Sequence, residues 1–162
     1  MGHSFLGELT VFENMSTDIS TISMAPCINM KVVESVMLNS KAVIVQAFGM
    51  GNIPSNNKKF MNILEEAISK NIIIVIMTQC YQGEVNDVYE TGRELVSKGA
   101  VLAYDMTMEC LFAKLSYLMG KGYSVPKIKQ MMMQSLRGEL TDIKKAKNTF
   151  TLKNSKMVQA VA

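Results

Sequence analysis

The chain alternates between short apolar segments and longer segments whose apolar residues recur at helical spacing. Four apolar segments predict strands, one of them a nearly unbroken β-branched run typical of a strand buried on both faces. Their centres lie near Ile22, Val45, Val75 and Leu102. Five further segments carry apolar residues on one helix face. They cover residues 29–38, 56–71, 86–99, 106–122 and 124–136.

Capping and breaking residues predict where these helices begin and end. Asn29 precedes the first helix as an N-cap, and Asp105 is interpreted in the same way before the fourth. Asn71 and Gly99 predict helix ends because both residue types tolerate the backbone conformation that stops a helix. Pro126 is compatible with the first turn of the last helix, where its missing N–H costs nothing.

Strands and helices in alternation predict parallel crossovers and an α/β fold. We expect a three-layer sandwich with a small parallel sheet of about four strands in doubly wound order. Ligands of such sheets bind beyond the carboxyl ends of the strands, near a switch in strand order. Those ends carry "GMGN" at Gly49–Asn52, "TQC" at Thr78–Cys80 and "YDMT" at Tyr104–Thr107.

Length and composition indicate one globular domain. The chain has 162 residues, of which 48% are hydrophobic and 19% are charged. We divide it into a lead-in at residues 1–20, an α/β domain at 21–142 and a basic tail or linker at 143–162. The tail contributes much of the net charge of +3. A solvated tail is favoured over a nucleic-acid site, because arginines and aromatic residues are not interleaved there.

The cysteine and histidine content argues against a metal centre and a disulfide framework. Cys27, Cys80 and Cys110 have no paired spacing, and the single histidine is His3 near the N-terminus. No signal-peptide pattern opens the sequence, and no apolar run reaches membrane-spanning length. We therefore expect a cytoplasmic protein without membrane insertion, metal or cofactor.

The glycine loop at Gly49, Gly51 and Asn52 follows a buried strand and precedes a helix. Glycines there let the backbone approach a ligand, and the helix amides favour an anion. The G-x-G-N spacing departs from the dinucleotide pattern G-x-G-x-x-G, and no acidic residue ends the next strand. On this motif alone, a plain turn is favoured over a ligand loop.

Thr78, Gln79 and Cys80 end the most hydrophobic strand with small polar groups. Such groups can hydrogen-bond a small polar ligand at the strand end. A nucleophilic cysteine needs a base and an electropositive setting, and His3 is far away in sequence, so catalysis by Cys80 is disfavoured. The fifteen methionines are interpreted as adaptable core residues rather than a metal or partner surface.

Several ordered blocks resemble one family. "FGMGNIPSNNKKF", "IIIVIMTQCYQGEVNDVYETGRELVSKGAV", "YDMTMECLFAKLSYLMG" and "SLRGELT" are similar to the C-terminal domain of cytoplasmic-type (type I) L-asparaginases. The resemblance covers about Thr10 to Asp142. It is nearest to the animal branch, in which ankyrin repeats follow the asparaginase domain and which is also described as a 60 kDa lysophospholipase.

The resemblance implies where the chemistry lies. The family's nucleophilic threonine belongs to a T-G-G-T turn, and a second threonine belongs to an H-G-T-D-T block, both in the N-terminal domain. Neither motif occurs in this sequence, and Thr17-Asp18 lacks the flanking residues. We therefore expect no catalytic residue here and an inactive chain in isolation. The implied partners are an N-terminal asparaginase domain, a homodimer or tetramer, and L-asparagine or L-aspartate bound by the full enzyme.

The resemblance also assigns roles to the two strand ends. Gly49, Gly51 and Asn52 match the family's G-x-G-N loop, which implies a place at the edge of the substrate pocket. Thr78–Cys80 match the strand end that binds an effector in the bacterial enzyme. That effector site also uses an arginine three residues before the first glycine, where this sequence has Gln46. Without the guanidinium, a bidentate clamp on a carboxylate is lost.

Four further residues match family positions that we interpret as architectural. Tyr89 and Gly92 match a Y-x-x-G helix, and Asp105 and Lys114 match its D-M-T and K-L positions.

Two functional hypotheses remain open at this point. The chain is the C-terminal domain of an asparaginase, or it is a binding or dimerisation module without catalytic function. In either case we expect unusually large apolar patches and self-association of the chain on its own.

Overall fold

The computed structural model of the protein describes residues 11–81, 83–85 and 90–141. The predicted basic tail at 143–162 and the position of Tyr89 lie outside the described residues. The strands are β1 (Ile19–Ser23), β2 (Ala42–Ala47), β3 (Ile73–Thr78) and β4 (Val101–Leu102). The helices are α1 (Met30–Leu38), α2 (Lys58–Ser69), α3 (Glu90–Lys98), α4 (Met108–Gly120) and α5 (Val125–Met132).

The sheet contains four parallel strands, as predicted, and their centres fall near the predicted residues. The predicted doubly wound order is wrong, because the strands follow one another in the order β1-β2-β3-β4. Each strand is therefore added on the same side of the strand before it. Because parallel crossovers are right-handed, the three crossover helices α1, α2 and α3 lie on one face of the sheet. The sheet has no switch in strand order, so the switch point cannot mark a ligand site here.

Side chains of the central strands alternate between two cores. Val43 and Val45 of β2 pack into the core formed with α1, α2 and α3. Ala42 and Ile44, on the other face of the same strand, pack into the core formed with α4 and α5. This period-two alternation, with both faces apolar, is why the strand is hydrophobic throughout. The three predicted layers are thus three crossover helices, the sheet, and the α4–α5 pair.

Most helix ends fall at the predicted signals. The Asn29 side chain accepts a hydrogen bond from the Lys31 N–H at 3.0 Å and caps α1. Gly99 directly follows α3 with a φ angle of 102°, and Asn71 follows the C-cap residue of α2 with a φ angle of 61°. Pro126 lies in the first turn of α5.

The start of α4 corrects one prediction. Thr107, not Asp105, is the N-cap, and its hydroxyl accepts a hydrogen bond from the Cys110 N–H at 3.3 Å. Asp105 instead accepts a hydrogen bond from the Thr141 N–H at 3.1 Å. Asp105 lies two residues before the N-cap. Its carboxylate therefore holds a segment 36 residues further along the chain instead of capping the helix.

Residues 11–17 lie along the C-terminal half of α4. The Ser16 N–H donates to the Ser116 carbonyl at 3.0 Å, and the Ser116 hydroxyl donates back to the Ser16 carbonyl at 2.5 Å. The Phe12 ring meets Tyr117 edge to face at 5.3 Å. Gly120 permits this approach, because a Cβ there would lie 1.7 Å from the Asn14 carbonyl oxygen.

The segment after α5 is held by a buried ion pair between Lys114 and Glu139. Their side chains are 4% and 12% exposed, and the ammonium lies 2.8 Å from the carboxylate. Lys114 also donates to the Met132 and Gln134 carbonyls at 3.0 and 2.5 Å. All three ammonium protons therefore have acceptors, as a buried charge requires. These contacts agree with the interpretation of Lys114 as architectural.

The Glu139 carboxylate is stabilised in its charged form. Burial acts to raise its pKa, but hydrogen bonds from the Leu136 N–H, the Lys114 ammonium and the backbone amides of Glu139 and Arg137 outweigh it. Together they lower the pKa of Glu139 from its usual 4.5 to about 2. The Glu139 carboxylate is therefore charged near neutral pH.

Candidate functional site

The glycine loop and the end of β3 lie together, as the sequence predicts. Ala47 at the end of β2 is in register with Thr78 at the end of β3, and Ser23 at the end of β1 is in register with Gln46. Parallel strands bring these carboxyl ends to a single edge of the sheet. We call Gly49–Asn52 together with Thr78–Cys80 the glycine-loop edge.

The glycine loop is a tight turn closed by its own backbone. The N–H groups of Gly51 and Asn52 donate to the Phe48 carbonyl at 3.1 and 2.8 Å, and the Phe48 N–H donates to the Asn52 carbonyl at 2.9 Å. Gly49 and Gly51 have φ angles of 47° and 104°. L side chains are disfavoured in both conformations, which explains why glycine occupies both positions.

Gly51 has a second reason to lack a side chain. A Cβ at this position would lie 2.5 Å from the Val85 Cγ1 atom. Val85 is buried, and its N–H donates to the Tyr104 carbonyl at 3.0 Å. The loop is thus packed against the segment that follows β3, which is itself tied to the end of β4.

The Thr78 side chain connects β3 to the loop. Its hydroxyl donates to the Gly49 carbonyl and accepts a hydrogen bond from the Cys80 N–H at 2.9 Å. Thr78 is 8% exposed, one of few buried polar residues among those described. A buried hydroxyl with both a donor and an acceptor partner satisfies the requirement for burying a polar group.

The Gln79 side chain connects β3 to the ends of β1 and β2. Its amide nitrogen donates to the Met24 carbonyl at 2.6 Å and to the Gln46 carbonyl at 2.8 Å. Its backbone N–H also donates to the Ala47 carbonyl at 3.0 Å. Both amide protons of the side chain are therefore engaged within the domain.

By the resemblance described from the sequence, Gln46 matches the position of an arginine in the bacterial effector site. Its side-chain oxygen accepts a hydrogen bond from the Ser23 hydroxyl, and its backbone carbonyl also receives the Met24 N–H at 2.9 Å. Gln46 is half-buried and carries no charge. The position thus contributes to the joint between β1 and β2.

Asn52 differs from these residues because its side chain is exposed. Within the described part of the chain, no hydrogen bond involves its amide group, and only its backbone is engaged. Cys80 is also exposed. Met50 is 47% exposed and Tyr81 is fully exposed, so the outer surface of the glycine-loop edge is partly apolar.

Sequence reasoning missed the partners of this edge. The Ser23 hydroxyl donates to Gln46, and the Met24 carbonyl accepts from Gln79. Val85 lies against Gly51. The sequence patterns indicated none of these three partners. Two of the three contribute a backbone group or an apolar surface, for which no sequence motif exists. Of the positions interpreted as architectural, Gly92 is buried in α3.

A separate apolar groove lies between β1 and α4. It has a volume of about 510 Å³, and Met15, Thr21, Met108, Phe112 and Ala113 are among its lining residues. No residue of the glycine-loop edge lines it.

Within the described ranges, no group of three or more histidine, cysteine or acidic side chains could hold a metal ion. In the same ranges, no helix is long and apolar enough to cross a membrane.

The fold and the glycine-loop edge define a small parallel α/β domain with polar strand ends. Its sequence matches the family described as the glutaminase/asparaginase C-terminal domain over residues 18–132, and the chain belongs to this family. The resemblance to L-asparaginases noted from the sequence is thereby confirmed.

Known proteins resemble the chain over most of its length. L-asparaginase 1 of Escherichia coli is 38% identical over 137 residues, which are 83% of this chain and 40% of the relative. The 60 kDa lysophospholipase of Mus musculus is 34% identical over 135 residues, which are 82% of this chain and 24% of the relative.

Solved structures agree with the sequence comparison. L-asparaginase I of Vibrio cholerae superposes with a TM-score of 0.75 at 37% identity, covering 83% of this chain and 40% of the other. The thermostable L-asparaginase of Thermococcus kodakarensis superposes with a TM-score of 0.73 at 25% identity, covering 79% and 39%. The chain thus spans less than half the length of these relatives.

Proposed function

We propose that this chain is the C-terminal domain of an L-asparaginase, an amidohydrolase that converts L-asparagine to L-aspartate and ammonia. The observation that carries the proposal is the family match combined with a hydrogen-bonded G-x-G-N loop that presents Asn52 at the sheet edge. The domain would complete the substrate pocket and the subunit interface of the full enzyme.

The proposed contribution of the chain is positioning rather than chemistry. Acyl transfer from an amide needs an activated nucleophile. By resemblance, the nucleophilic threonine belongs to the N-terminal domain, and neither of its motifs occurs in these 162 residues. We therefore expect the chain alone to release no ammonia from asparagine.

Asn52 is the residue we propose for substrate contact. Its carboxamide has two donor protons and an acceptor oxygen, so it can bond the carboxylate or the amide of asparagine. The exposure of its side chain, beside the exposed Met50 and Tyr81, supports a surface that another domain or subunit covers.

A chimera tests this proposal. Residues 18–141 of this chain replace the matched region of the Escherichia coli L-asparaginase 1, and ammonia release from L-asparagine is measured. We expect the chimera to be active and the 162-residue chain alone to be inactive. An inactive chimera that is folded and assembled like the parent enzyme would contradict the proposal.

Asn52→Ala in the chimera tests the proposed contact. Loss of a hydrogen bond to a charged group should lower kcat/KM by about tenfold or more. The matched control is Asn62→Ala, which removes an exposed carboxamide from α2 and should leave the rate unchanged. Equal rates for the two variants would remove Asn52 from the pocket.

A second candidate function is a non-catalytic binding or dimerisation module. The apolar groove beside Phe112, which is 38% exposed, and the exposed Tyr81 favour it, because such surfaces mark contact sites. Light scattering of the chain at increasing concentration measures its self-association as a dimer or tetramer. Association together with an inactive chimera would favour this function over the enzymatic one.

A cytoplasmic location is part of the proposal. The structure leaves Cys27, Cys80 and Cys110 as exposed free thiols. Reducing compartments preserve such thiols, whereas oxidising ones tend to pair or modify them.

A further inference from the structure

Two of the residues that resemble an effector site, Thr78 and Gln79, donate all of their side-chain protons to backbone carbonyls of the domain. The Thr78 hydroxyl has one proton, which it donates to the Gly49 carbonyl, and it accepts the Cys80 N–H. The Gln79 amide has two protons, which it donates to the Met24 and Gln46 carbonyls.

Gln46 does not supply the positive charge that an arginine would bring to this position. Its side-chain oxygen already accepts the Ser23 hydroxyl, and it has no positive charge for an amino-acid carboxylate. A free amino acid that bonds the Thr78 hydroxyl proton or the Gln79 amide protons would have to displace internal hydrogen bonds, without the compensation of a guanidinium clamp. The net gain from such an exchange is small.

We propose that Thr78 and Gln79 form a strand-end latch that positions the glycine loop, in place of an effector site for asparagine. Thr78 is a positioning residue that acts on Asn52 through the Gly49 carbonyl, and Gln79 holds the ends of β1 and β2 beside it. The proposal rests on the proposed function insofar as Asn52 contacts substrate. The latch itself is a property of the isolated chain.

The contacts explain why the latch determines the position of Asn52. Gly49 and Gly51 give the loop two residues with wide conformational freedom, and a Cβ at Gly49 would meet no atom within 4 Å. Thr78 supplies a side-chain bond to that open part of the loop. Without it, the described contacts of the loop are its own turn bonds and the packing of Gly51 against Val85.

Amide hydrogen exchange on the 162-residue chain tests the latch. Thr78→Val should speed exchange at the Gly51 and Asn52 amides by about fivefold or more, as expected for one lost hydrogen bond of ordinary strength. Thr78→Ser keeps the hydroxyl and should restore the wild-type rates. Gln79→Met, which removes both amide donors at similar volume, should also speed exchange in this loop.

Thr21→Val is the matched control. It makes the same substitution on β1, at an exposed threonine that lines the apolar groove, and should leave loop exchange unchanged. Wild-type exchange rates in both Thr78→Val and Gln79→Met would overturn the proposal.

Titration of L-asparagine into the wild-type chain tests the second half of the inference. We expect no saturable chemical-shift change at the Thr78–Cys80 amides up to millimolar concentration. Saturable shifts there, abolished by Thr78→Val, would show an effector site and overturn the latch.

The chimera shows how the latch affects activity. Thr78→Val should reduce kcat/KM severalfold, Thr78→Ser should restore it, and the rate should show no sigmoidal dependence on asparagine. An inactive chimera removes the proposed function but leaves the exchange experiment on the chain valid. If the chimera is active but Thr78→Val and Gln79→Met both exchange at wild-type rates, the latch alone is contradicted.

Discussion

Two regions of the domain fix irregular chain segments by different means. At the glycine-loop edge, neutral side chains such as Thr78 and Gln79 donate to backbone carbonyls. At the end of the described chain, the charged pair Lys114–Glu139 holds the segment after α5 onto α4. Thr78 and Lys114 are both buried polar residues, but only the second region satisfies its buried group with charges.

The difference indicates what each region tolerates. A neutral hydrogen bond contributes about 1 kcal/mol net, and its loss changes a loop locally. A buried charge carries a large desolvation cost, so removing its partner affects the whole domain. We therefore expect substitutions of Thr78 and Gln79 to alter function before stability, and substitutions at the ion pair to do the reverse.

The largest expected effect is that of Lys114→Met. It leaves the Glu139 carboxylate without its cation and two carbonyls without a donor, which should lower the free energy of unfolding by about 3–5 kcal/mol. Urea denaturation measures the change. The double variant Lys114→Met with Glu139→Gln should recover part of the loss, because no unpaired charge remains. A single-variant loss below about 1 kcal/mol would show that the pair is not a stability determinant.

Stability should also depend on pH through Glu139. Its pKa is lowered to about 2 in the folded protein, from a usual 4.5. A lowered pKa means that the folded state favours the carboxylate, so this contribution is complete above about pH 5 and is lost as the pH falls toward 2. The loss is up to about 3 kcal/mol. Glu139→Gln should flatten the stability profile between these pH values, and an unchanged profile would contradict the assignment.

Gly51→Ala should cost about 2 kcal/mol of unfolding free energy. The new Cβ would lie 2.5 Å from Val85 Cγ1, at a backbone φ of 104° that disfavours side chains. Gly49→Ala is the control, since its Cβ would meet no atom within 4 Å and its φ of 47° costs only about 1 kcal/mol. Thermal unfolding compares the two. A larger loss in Gly49→Ala would contradict the packing of the loop against Val85.

The smallest expected effect is that of Lys70→Met. It removes an exposed pair in which the Lys70 ammonium lies 2.7 Å from Glu66, one helical turn away. The free energy of unfolding should fall by less than about 1 kcal/mol, and the difference should shrink at high salt. Urea denaturation of Lys70→Met and Lys114→Met compares the loss of an exposed lysine with the loss of a buried one. The comparison separates the effect of burial from that of removing a lysine. Similar losses for the two variants would mean that burial does not explain the larger one.

Much of the fold could be predicted from local patterns. The β-branched runs predicted the strands, and Asn29, Asn71 and Gly99 predicted helix ends that the structure shows. The strand order could not be predicted in this way. Doubly wound and single-direction sheets use the same alternating elements, and the arrangement depends on which faces pack together. The α4–α5 pair supplies the second face here, after the last strand.

The candidate site, like the fold, was determined in part by the sequence and in part only by the tertiary structure. The sequence determined that Gly49–Asn52 is a loop at a strand end and, through the resemblance, that the chain belongs with asparaginases. The tertiary structure alone decided that Gln79 bonds the Met24 carbonyl, 55 residues away, and that Glu139 pairs with Lys114. A propensity or a motif records the bonds a residue makes with near neighbours in sequence. Contacts between distant segments depend on how helices and strands dock, so polar groups such as the Gln79 amide acquire their partners only when the whole domain has packed.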